Sequence, residues 1–235
     1  MSENAMKKIG LVGGIGPAST VDYYWGLIEK TRTVLGKTRY PEIVIDSVNL
    51  NEATEYFELE QWDKSADLMV RSVENLARAG AEIAAITANT EHIVWERMKV
   101  GFKIPVISIV DAVVEEILSR QYKKILVLGT EFTMKSGLYN QALESAGIKT
   151  VAVTQEDCGR IGGLIYPKLE NGIVDPLDKK EMLGIINNYL NFESVDAVLL
   201  GCTELPLMIH EENLALPLLN STQIHIDAIF RAANR

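Results

Sequence analysis

A cysteine stands at the end of an apolar run, in a stretch that reads LLGCTELP from residue 199 to 206. The run DAVLL (196–200) stops at Gly201, and Cys202, Thr203 and Glu204 follow where the chain is expected to turn toward water. At a strand-to-helix junction, backbone N–H groups and the positive end of a helix dipole stabilise an anion. We therefore expect a depressed pKa and a reactive sulfur at Cys202, lining a crevice. The alternative is that Cys202 is a small core residue.

A second stretch, ITANTEH (86–92), has the same layout without a thiol. Its histidine, His92, or the distant His225 would be the partner base if Cys202 were a hydrolase nucleophile, but neither a GxSxG nor a GxCxG motif is present. The other cysteine, Cys158, lies in QEDCGRIGG and is predicted to be structural. The three histidines and two cysteines show none of the short ligand pairs that metal sites use, so we expect no metal.

The loop GGIGPAST (13–20) is rich in glycine and precedes a predicted helix. Its glycines at 13, 14 and 16 do not meet the GxGxxG spacing, and no Walker lysine follows. This argues against a bound dinucleotide, and we expect no cofactor. Backbone N–H groups around Ile15 remain candidates for binding the carboxylate of a small ligand.

Charge and hydropathy restrict the partners. The 235 residues include 23 basic and 32 acidic ones, a net charge of −9, and the acidic residues are scattered. This argues against a nucleic-acid partner, because phosphate binding needs a basic face. No stretch approaches the roughly 18 apolar residues of a membrane span. Two cysteines and the lack of an apolar signal segment near residue 1 predict a protein of the reducing cytoplasm. The polar start, MSENA (1–5), is interpreted as a polar leader or a cloning remnant outside the fold.

Short apolar runs alternate with longer amphipathic stretches along the chain. The runs are rich in Ile, Val and Leu with little polar alternation, which is typical of parallel strands covered on both faces. We predict strands at KIGLVG (8–13), EIVIDSV (42–48), EIAAITA (82–88), PVISIV (105–110), KILVLG (124–129), KTVAVT (149–154) and DAVLLG (196–201). The stretches at 62–80 and 135–147 read as helices that close on glycine. This βαβ alternation predicts a doubly wound α/β fold.

The sequence also contains an internal echo. KKIGLVGG begins at Lys7 and KKILVLGT at Lys123, while Thr90 and Thr203 occupy similar turns. We therefore predict two pseudo-symmetric α/β lobes with parallel sheets, residues 6–112 plus 221–235 and residues 113–220, the final helix returning to the first lobe. Ligands bind beyond the carboxyl ends of parallel strands, so an active-site cleft between the lobes is expected. The alternative is a chance similarity between two ordinary βα units.

Six motifs, in order along the chain, resemble the aspartate/glutamate racemase family of amino-acid racemases. They are GLVGGIGPASTVDYY, SVNLNEATEY, AGAEIAAITANTEH, LVLGTEFTMKSGLY, LLGCTELP and LNSTQIHIDA. The resemblance implies a 1,1-proton transfer at the α-carbon of an acidic amino acid, without pyridoxal phosphate. Two bases, usually cysteines, stand on opposite faces of the substrate. It also implies a small amino acid or dicarboxylate as the partner, and a homodimer.

The resemblance assigns site residues by position. Cys202 matches the second catalytic thiol, and Glu204 matches a residue beside it. Polar groups that would hold the substrate carboxylates match Asn89, Thr90, Thr133 and Thr203.

The position of the first catalytic cysteine holds Ala88, which has no proton to exchange. Thr87 is not an easy substitute, because alternate side chains of a strand point to opposite faces. A second base would have to be His92 or a bound water, unless there is none. Phe57 lies where relatives place a polar residue for the substrate side chain, so it either favours a less polar substrate or faces the core.

Ala88 has several possible interpretations. The protein racemises slowly with Cys202 and another group, or it uses one-thiol chemistry, like the decarboxylases of this superfamily that protonate a carbanion. Ala88 is otherwise an engineered replacement of a catalytic cysteine. A non-catalytic binder of an acidic metabolite is the alternative from another class.

Overall fold

The computed structural model describes residues 6–166 and 168–235. Residues 1–5, the expected polar leader, lie outside the described part. The chain divides into two compact units, the first formed by Met1–Ala112 with Thr222–Arg235 and the second by Val113–Ser221.

Each unit contains a four-stranded parallel sheet with the same strand order. The first sheet has the order β2-β1-β3-β4 and the second β6-β5-β7-β8, so the echo in the sequence corresponds to a repeated topology. The strands are β1 (Ile9–Gly13), β2 (Ile43–Ser47), β3 (Ile83–Ile86), β4 (Val106–Ile107), β5 (Lys124–Gly129), β6 (Lys149–Val151), β7 (Ala197–Gly201) and β8 (Leu218–Asn220). All residues of β1, β3 and β7 are buried, which matches the apolar runs of parallel strands.

Helices connect the strands. They are α1 (Pro17–Leu35), α2 (Leu50–Glu58), α3 (Trp62–Arg78), α4 (Trp95–Met98), α5 (Ile109–Ser119), α6 (Glu131–Ser136), α7 (Leu138–Ser145), α8 (Gln155–Ile165), α9 (Pro176–Phe192), α10 (Leu205–Met208) and α11 (Ser221–Ala233). Short 3₁₀ turns cover Thr90–Val94, Lys99–Gly101, Leu169–Asn171 and Glu211–Asn213. The prediction of a two-lobed parallel α/β fold is therefore confirmed.

Side-chain caps shorten two predicted strands. The strand expected over 105–110 is only β4, because α5 begins at Ile109 and the Ser108 hydroxyl accepts a hydrogen bond from the Asp111 N–H at 3.1 Å. The strand expected over 149–154 ends at Val151, since Thr154 caps α8 by accepting from the Asp157 N–H at 3.2 Å. Apolar composition alone does not reveal these boundaries.

Two further elements differ from expectation. The helix predicted over 135–147 is split by Gly137, whose φ of 67° is left-handed and ends α6 before α7 begins. Strand β8 was not predicted, because its three residues follow Pro217 and are too few to show a period. In the second sheet β8 takes the edge position that β4 has in the first.

Helix α11 packs within the first unit. Ile226, Ile229 and Phe230, spaced by three and four residues, lie in one buried apolar cluster with Ile9 and Leu11 of β1. This spacing puts them on one face of the helix, where they cover the strand.

Candidate functional site

In each sheet, two neighbouring central strands deliver polar or reactive residues to the same edge. Gly129 of β5 pairs with Gly201 of β7, so Thr133 and Cys202 follow strands that end side by side. In the first sheet Val12 of β1 pairs with Ile86 of β3, which puts the loop after β1 and the turn at Ala88 at a common edge. We call these the second corner and the first corner. Both lie at the carboxyl ends of parallel strands, where such folds bind ligands.

Little space remains for a side chain where β5 and β7 end. A Cβ on Gly201 would come within 2.9 Å of the Tyr139 ring, and one on Gly129 would lie 3.1 Å from the Gly201 carbonyl oxygen and from Thr133. The backbone of the second corner is therefore packed closely against its neighbours, and this packing fixes the backbone position of Cys202.

The Cys202 thiol is almost fully buried, with 2% of the residue exposed. Its Sγ donates a hydrogen bond to Glu204 Oε2 at 2.9 Å. Burial, followed by the neighbouring Glu204 carboxylate, raises the pKa of Cys202 well above its usual value, while the backbone N–H groups of Glu204 and Leu205 oppose the rise.

The expected depression of the Cys202 pKa is therefore wrong. Helix α10 begins only at Leu205 and has four residues, so its N–H groups do not outweigh the loss of hydration and the repulsion by Glu204. At neutral pH the sulfur holds its proton. The Cys202 thiol can thus donate a proton. The backbone N–H groups of Glu204 and Leu205 would stabilise the thiolate that forms when the proton leaves.

The threonines of the second corner differ in their surroundings. Thr130 caps α6 by accepting from the Thr133 N–H at 3.1 Å, and its own hydroxyl donates to Thr133 Oγ1 at 2.9 Å. This pair fixes the Thr133 side chain, which is buried. Thr203 is half-buried beside Cys202.

In the first corner, the Gly14 N–H of the glycine-rich loop already has a hydrogen-bond acceptor within the protein. Gly14 has a φ of 89°, and its N–H donates to Thr20 Oγ1 at 2.9 Å. A Cβ there would lie 2.5 Å from the Val48 carbonyl oxygen, so only glycine fits. The next residue, Ile15, is buried and belongs to the same apolar cluster of the first unit as Ala88.

The residues around Ala88 have fixed hydrogen bonds. Thr87 is buried and donates to the Val12 carbonyl oxygen at 3.0 Å, so its hydroxyl is held against β1. Asn89 is buried and its carbonyl accepts from the His92 N–H at 3.0 Å, while Thr90 is half-buried at the start of the 3₁₀ turn. The Thr87 hydroxyl is therefore already engaged with β1 and is not free to act as an acid or a base.

Both histidines proposed as partner bases use both ring nitrogens. His92 Nε2 accepts from the Ile109 N–H at 3.3 Å, so Nδ1 carries the proton and donates to the Ala88 carbonyl at 3.0 Å. His225 Nε2 donates to the Ile107 carbonyl at 2.8 Å, and its Nδ1 accepts from the Tyr23 hydroxyl at 2.8 Å.

Burial lowers the pKa of His92 to about 4 and of His225 to about 3, the latter lowered further by His92. Both rings are therefore neutral at physiological pH. The His92 ring connects the turn at Ala88 to the start of α5, and the His225 ring connects β4 to Tyr23. With both ring nitrogens engaged and both pKa values lowered, neither ring has a free nitrogen to act as a base.

Sequence reasoning missed Glu91, the residue after Thr90. It is 3% exposed, and its Oε2 has no hydrogen-bond partner among the described residues. Burial raises its pKa to about 7, with its own backbone N–H acting against the rise. The only local signal is its place directly after the turn sequence ANT, and that place does not reveal the burial of its carboxyl group.

The remaining expectations concern residues away from the two corners. The Phe57 ring packs edge-on against Trp62 at a centroid distance of 5.5 Å, so it faces another aromatic ring of its own unit. Cys158 is buried in α8. Over residues 6–166 and 168–235, no group of three or more His, Cys, Asp and Glu side chains is placed to hold a metal ion. Within the same ranges, every helix is too short or too polar to cross a bilayer.

The two parallel sheets have the same strand order. The buried thiol of Cys202 follows a central strand of one sheet, and the turn at Asn89 and Thr90 follows the corresponding strand of the other. These features define a two-lobed α/β protein. The family model described as Asp/Glu/Hydantoin racemase matches residues 12–229. The chain belongs to this family.

Three relatives illustrate the similarity. A putative Asp/Glu racemase from Yersinia pestis has a TM-score of 0.91 at 28% identity, covering 98% of this chain and 100% of that one. An aspartate racemase homologue from Pyrococcus horikoshii OT3 has a TM-score of 0.88 at 36% identity, with the same coverage. A glutamate racemase from Aquifex aeolicus (strain VF5) is 32% identical over 136 residues, 56% of this chain and 50% of that protein. The chain thus aligns with about half the length of that curated relative.

Proposed function

We propose that the protein is an amino-acid racemase that transfers the α-proton of aspartate or glutamate without pyridoxal phosphate, using Cys202 as one of its proton-transferring groups. Support comes from the family, and from the names of the similar proteins, which refer to aspartate and glutamate racemases. The observation that carries the proposal is the hydrogen bond from the Cys202 thiol to Glu204, in a buried corner where two backbone N–H groups face the sulfur.

The chemistry at Cys202 follows from its protonation state. A thiol gives its proton to the substrate α-carbon, so an S–H bond breaks as a C–H bond forms, and the electron pair stays on sulfur as a thiolate. The N–H groups of Glu204 and Leu205 then stabilise that thiolate. In the opposite direction the thiolate takes the α-proton. Glu204 accepts the thiol hydrogen bond in the resting state and so keeps the S–H oriented.

Removal of an α-proton also requires donors for the charge that develops on the substrate carboxylate. We assign this role to Asn89 and Thr90 of the first corner and to Thr133 and Thr203 of the second. Hydrogen bonds hold the backbone carbonyl of Asn89 and the hydroxyl of Thr133 in place, which limits the reorganisation that these two positions need during the reaction. The backbone N–H groups around Ile15 are assigned to a carboxylate of the same substrate.

The proposal includes a setting for the protein. We infer a cytoplasmic homodimer that acts on a small acidic amino acid, on the basis of the family. Size-exclusion chromatography with light scattering tests the dimer: a mass of about twice the 26.1 kDa of the chain is expected, and a mass equal to one chain would contradict it.

Chiral chromatography tests the activity. L- and D-aspartate and L- and D-glutamate are incubated separately with the protein, and the opposite enantiomer is expected to accumulate without added cofactor. Cys202→Ser is expected to lower the rate at least about 100-fold, the loss typical of a missing acid–base group. Cys158→Ser, the matched change at the other buried cysteine, should keep the rate. Absence of interconversion with all four amino acids, or full activity of Cys202→Ser, would contradict the proposal.

A further inference from the structure

The first corner lacks the group that the proposed reaction needs on the second face of the substrate. Ala88 has no titratable side chain, and the Thr87 hydroxyl is bonded to the Val12 carbonyl. The two ring nitrogens of His92 are both engaged, one with Ala88 and one with Ile109. Thr87, Ala88 and His92 therefore do not supply a side-chain base in this corner.

Glu91 lies in this corner, three residues after Ala88 and next to Thr90. Its carboxyl group is buried, and Oε2 has no partner among the described residues. A buried carboxylate oxygen left without a partner is costly, so its presence calls for a ligand, a water molecule or a proton that completes it. Across the part of the chain that the structure describes, Glu91 is the one carboxyl group with a buried, unpartnered oxygen.

We propose that Glu91 is the second proton-transferring group, in place of the cysteine that the family resemblance implies at position 88. This inference rests on the proposed racemase function and extends it. The Glu91 carboxylate removes the α-proton of one enantiomer: the C–H bond breaks, an O–H bond forms on the carboxylate, and the electron pair remains on the substrate. The Cys202 thiol then delivers its proton to the opposite face. Solvent exchange of the two protons restores the starting state.

Other observations agree with this division of roles. Burial raises the pKa of Glu91 to about 7, so near neutral pH both the accepting and the donating form are populated. Burial and Glu204 raise the pKa of Cys202, which rests as the acid. The proposed transfer needs one group that can accept a proton near neutral pH, as Glu91 can, and one that rests protonated, as Cys202 does.

The test is the exchange of the substrate α-proton in deuterated water, followed by proton NMR for each enantiomer of aspartate and glutamate separately. The unaltered protein is expected to exchange both enantiomers. In Glu91→Gln, exchange of one enantiomer should fall at least about 100-fold while exchange of the other is retained, because its α-proton faces Cys202. Cys202→Ser should give the mirror result. Glu96→Gln, the same change at an exposed position of α4, should exchange both enantiomers normally.

The possible outcomes separate this inference from the function on which it rests. If the unaltered protein exchanges neither enantiomer, the proposed function fails. Exchange of both enantiomers by Glu91→Gln at the original rate would refute the role of Glu91. Exchange of a single enantiomer by the unaltered protein, abolished by Cys202→Ser and not by Glu91→Gln, would also refute it. In both cases the role of Cys202 stands. Glu91→Met, whose side chain of similar length suits a buried position, repeats the test if Glu91→Gln does not fold. Partial recovery in Glu91→Asp supports proton transfer over a structural role.

Discussion

Replacing Glu91 by methionine should change the pH dependence of stability by an amount that follows from the burial of its carboxyl group. The pKa of Glu91 is raised from 4.5 to about 7 in the folded protein. Between these values the folded state binds a proton that the unfolded chain has released, so the free energy of unfolding falls as the pH rises, and it levels off above about pH 7. At about 1.36 kcal/mol per pH unit the full effect is about 3.4 kcal/mol, of which about 2.5 kcal/mol falls between pH 5 and pH 8.

Urea denaturation of the unaltered protein and of Glu91→Met at several pH values measures this effect. The free energy of unfolding of Glu91→Met minus that of the unaltered protein should increase by about 2.5 kcal/mol from pH 5 to pH 8. His92 and His225 act in the opposite direction in both proteins, so their contributions cancel in the difference. Glu96→Met, at an exposed position of α4, is the control and should stay within about 0.5 kcal/mol. A difference for Glu91→Met that does not vary with pH would refute the buried, unpartnered carboxyl group.

Three further predictions concern the corners and the core. Burial and a raised pKa at Cys202 predict alkylation by iodoacetamide at pH 7 more slowly in the folded protein than in denatured chain, measured by mass spectrometry; faster alkylation when folded would contradict this. Gly14→Ala should lower the free energy of unfolding by more than about 2 kcal/mol, because its left-handed φ and the Val48 carbonyl leave no room, whereas Gly163→Ala, in open space, should change it by less than about 1 kcal/mol in chemical denaturation; equal effects would contradict the geometry. Nitrogen-15 NMR at pH 5.5 should find neutral imidazoles, with the proton on Nδ1 of His92 and Nε2 of His225, since both pKa values are lowered; a charged ring would contradict this.

Strand composition and the internal echo were sufficient to predict the two parallel sheets. Five-residue runs of buried residues such as Ile9–Gly13 and Ala197–Gly201 have no polar alternation, so their type is readable locally. The ends of strands were not predicted where a single hydroxyl decides them, as Ser108 does before α5. Strand β8 is defined by its pairing with β7 rather than by its three residues.

The chemistry of the site was predicted less well than the position of its residues. Placing Cys202 after a central strand follows from the apolar run before it. The direction of its pKa shift depends on the burial of the thiol and on its contact with the Glu204 carboxylate. Neither can be read from the spacing of residues along the chain. Glu91 was missed for the same reason: a glutamate in a turn is usually solvated, and its burial arises from the packing of elements distant in sequence.

The central claim is that Cys202 transfers the substrate α-proton, and solvent deuterium incorporation tests it most directly. Aspartate and glutamate, as single enantiomers, are incubated in deuterated water with the unaltered protein, Cys202→Ser and Cys158→Ser, and loss of the α-proton signal is followed by NMR. The account predicts incorporation by the unaltered protein and by Cys158→Ser. For the enantiomer that exchanges at the second corner, it predicts a loss of at least about 100-fold in Cys202→Ser. Undiminished incorporation by Cys202→Ser with every enantiomer, or none by the unaltered protein, would contradict it.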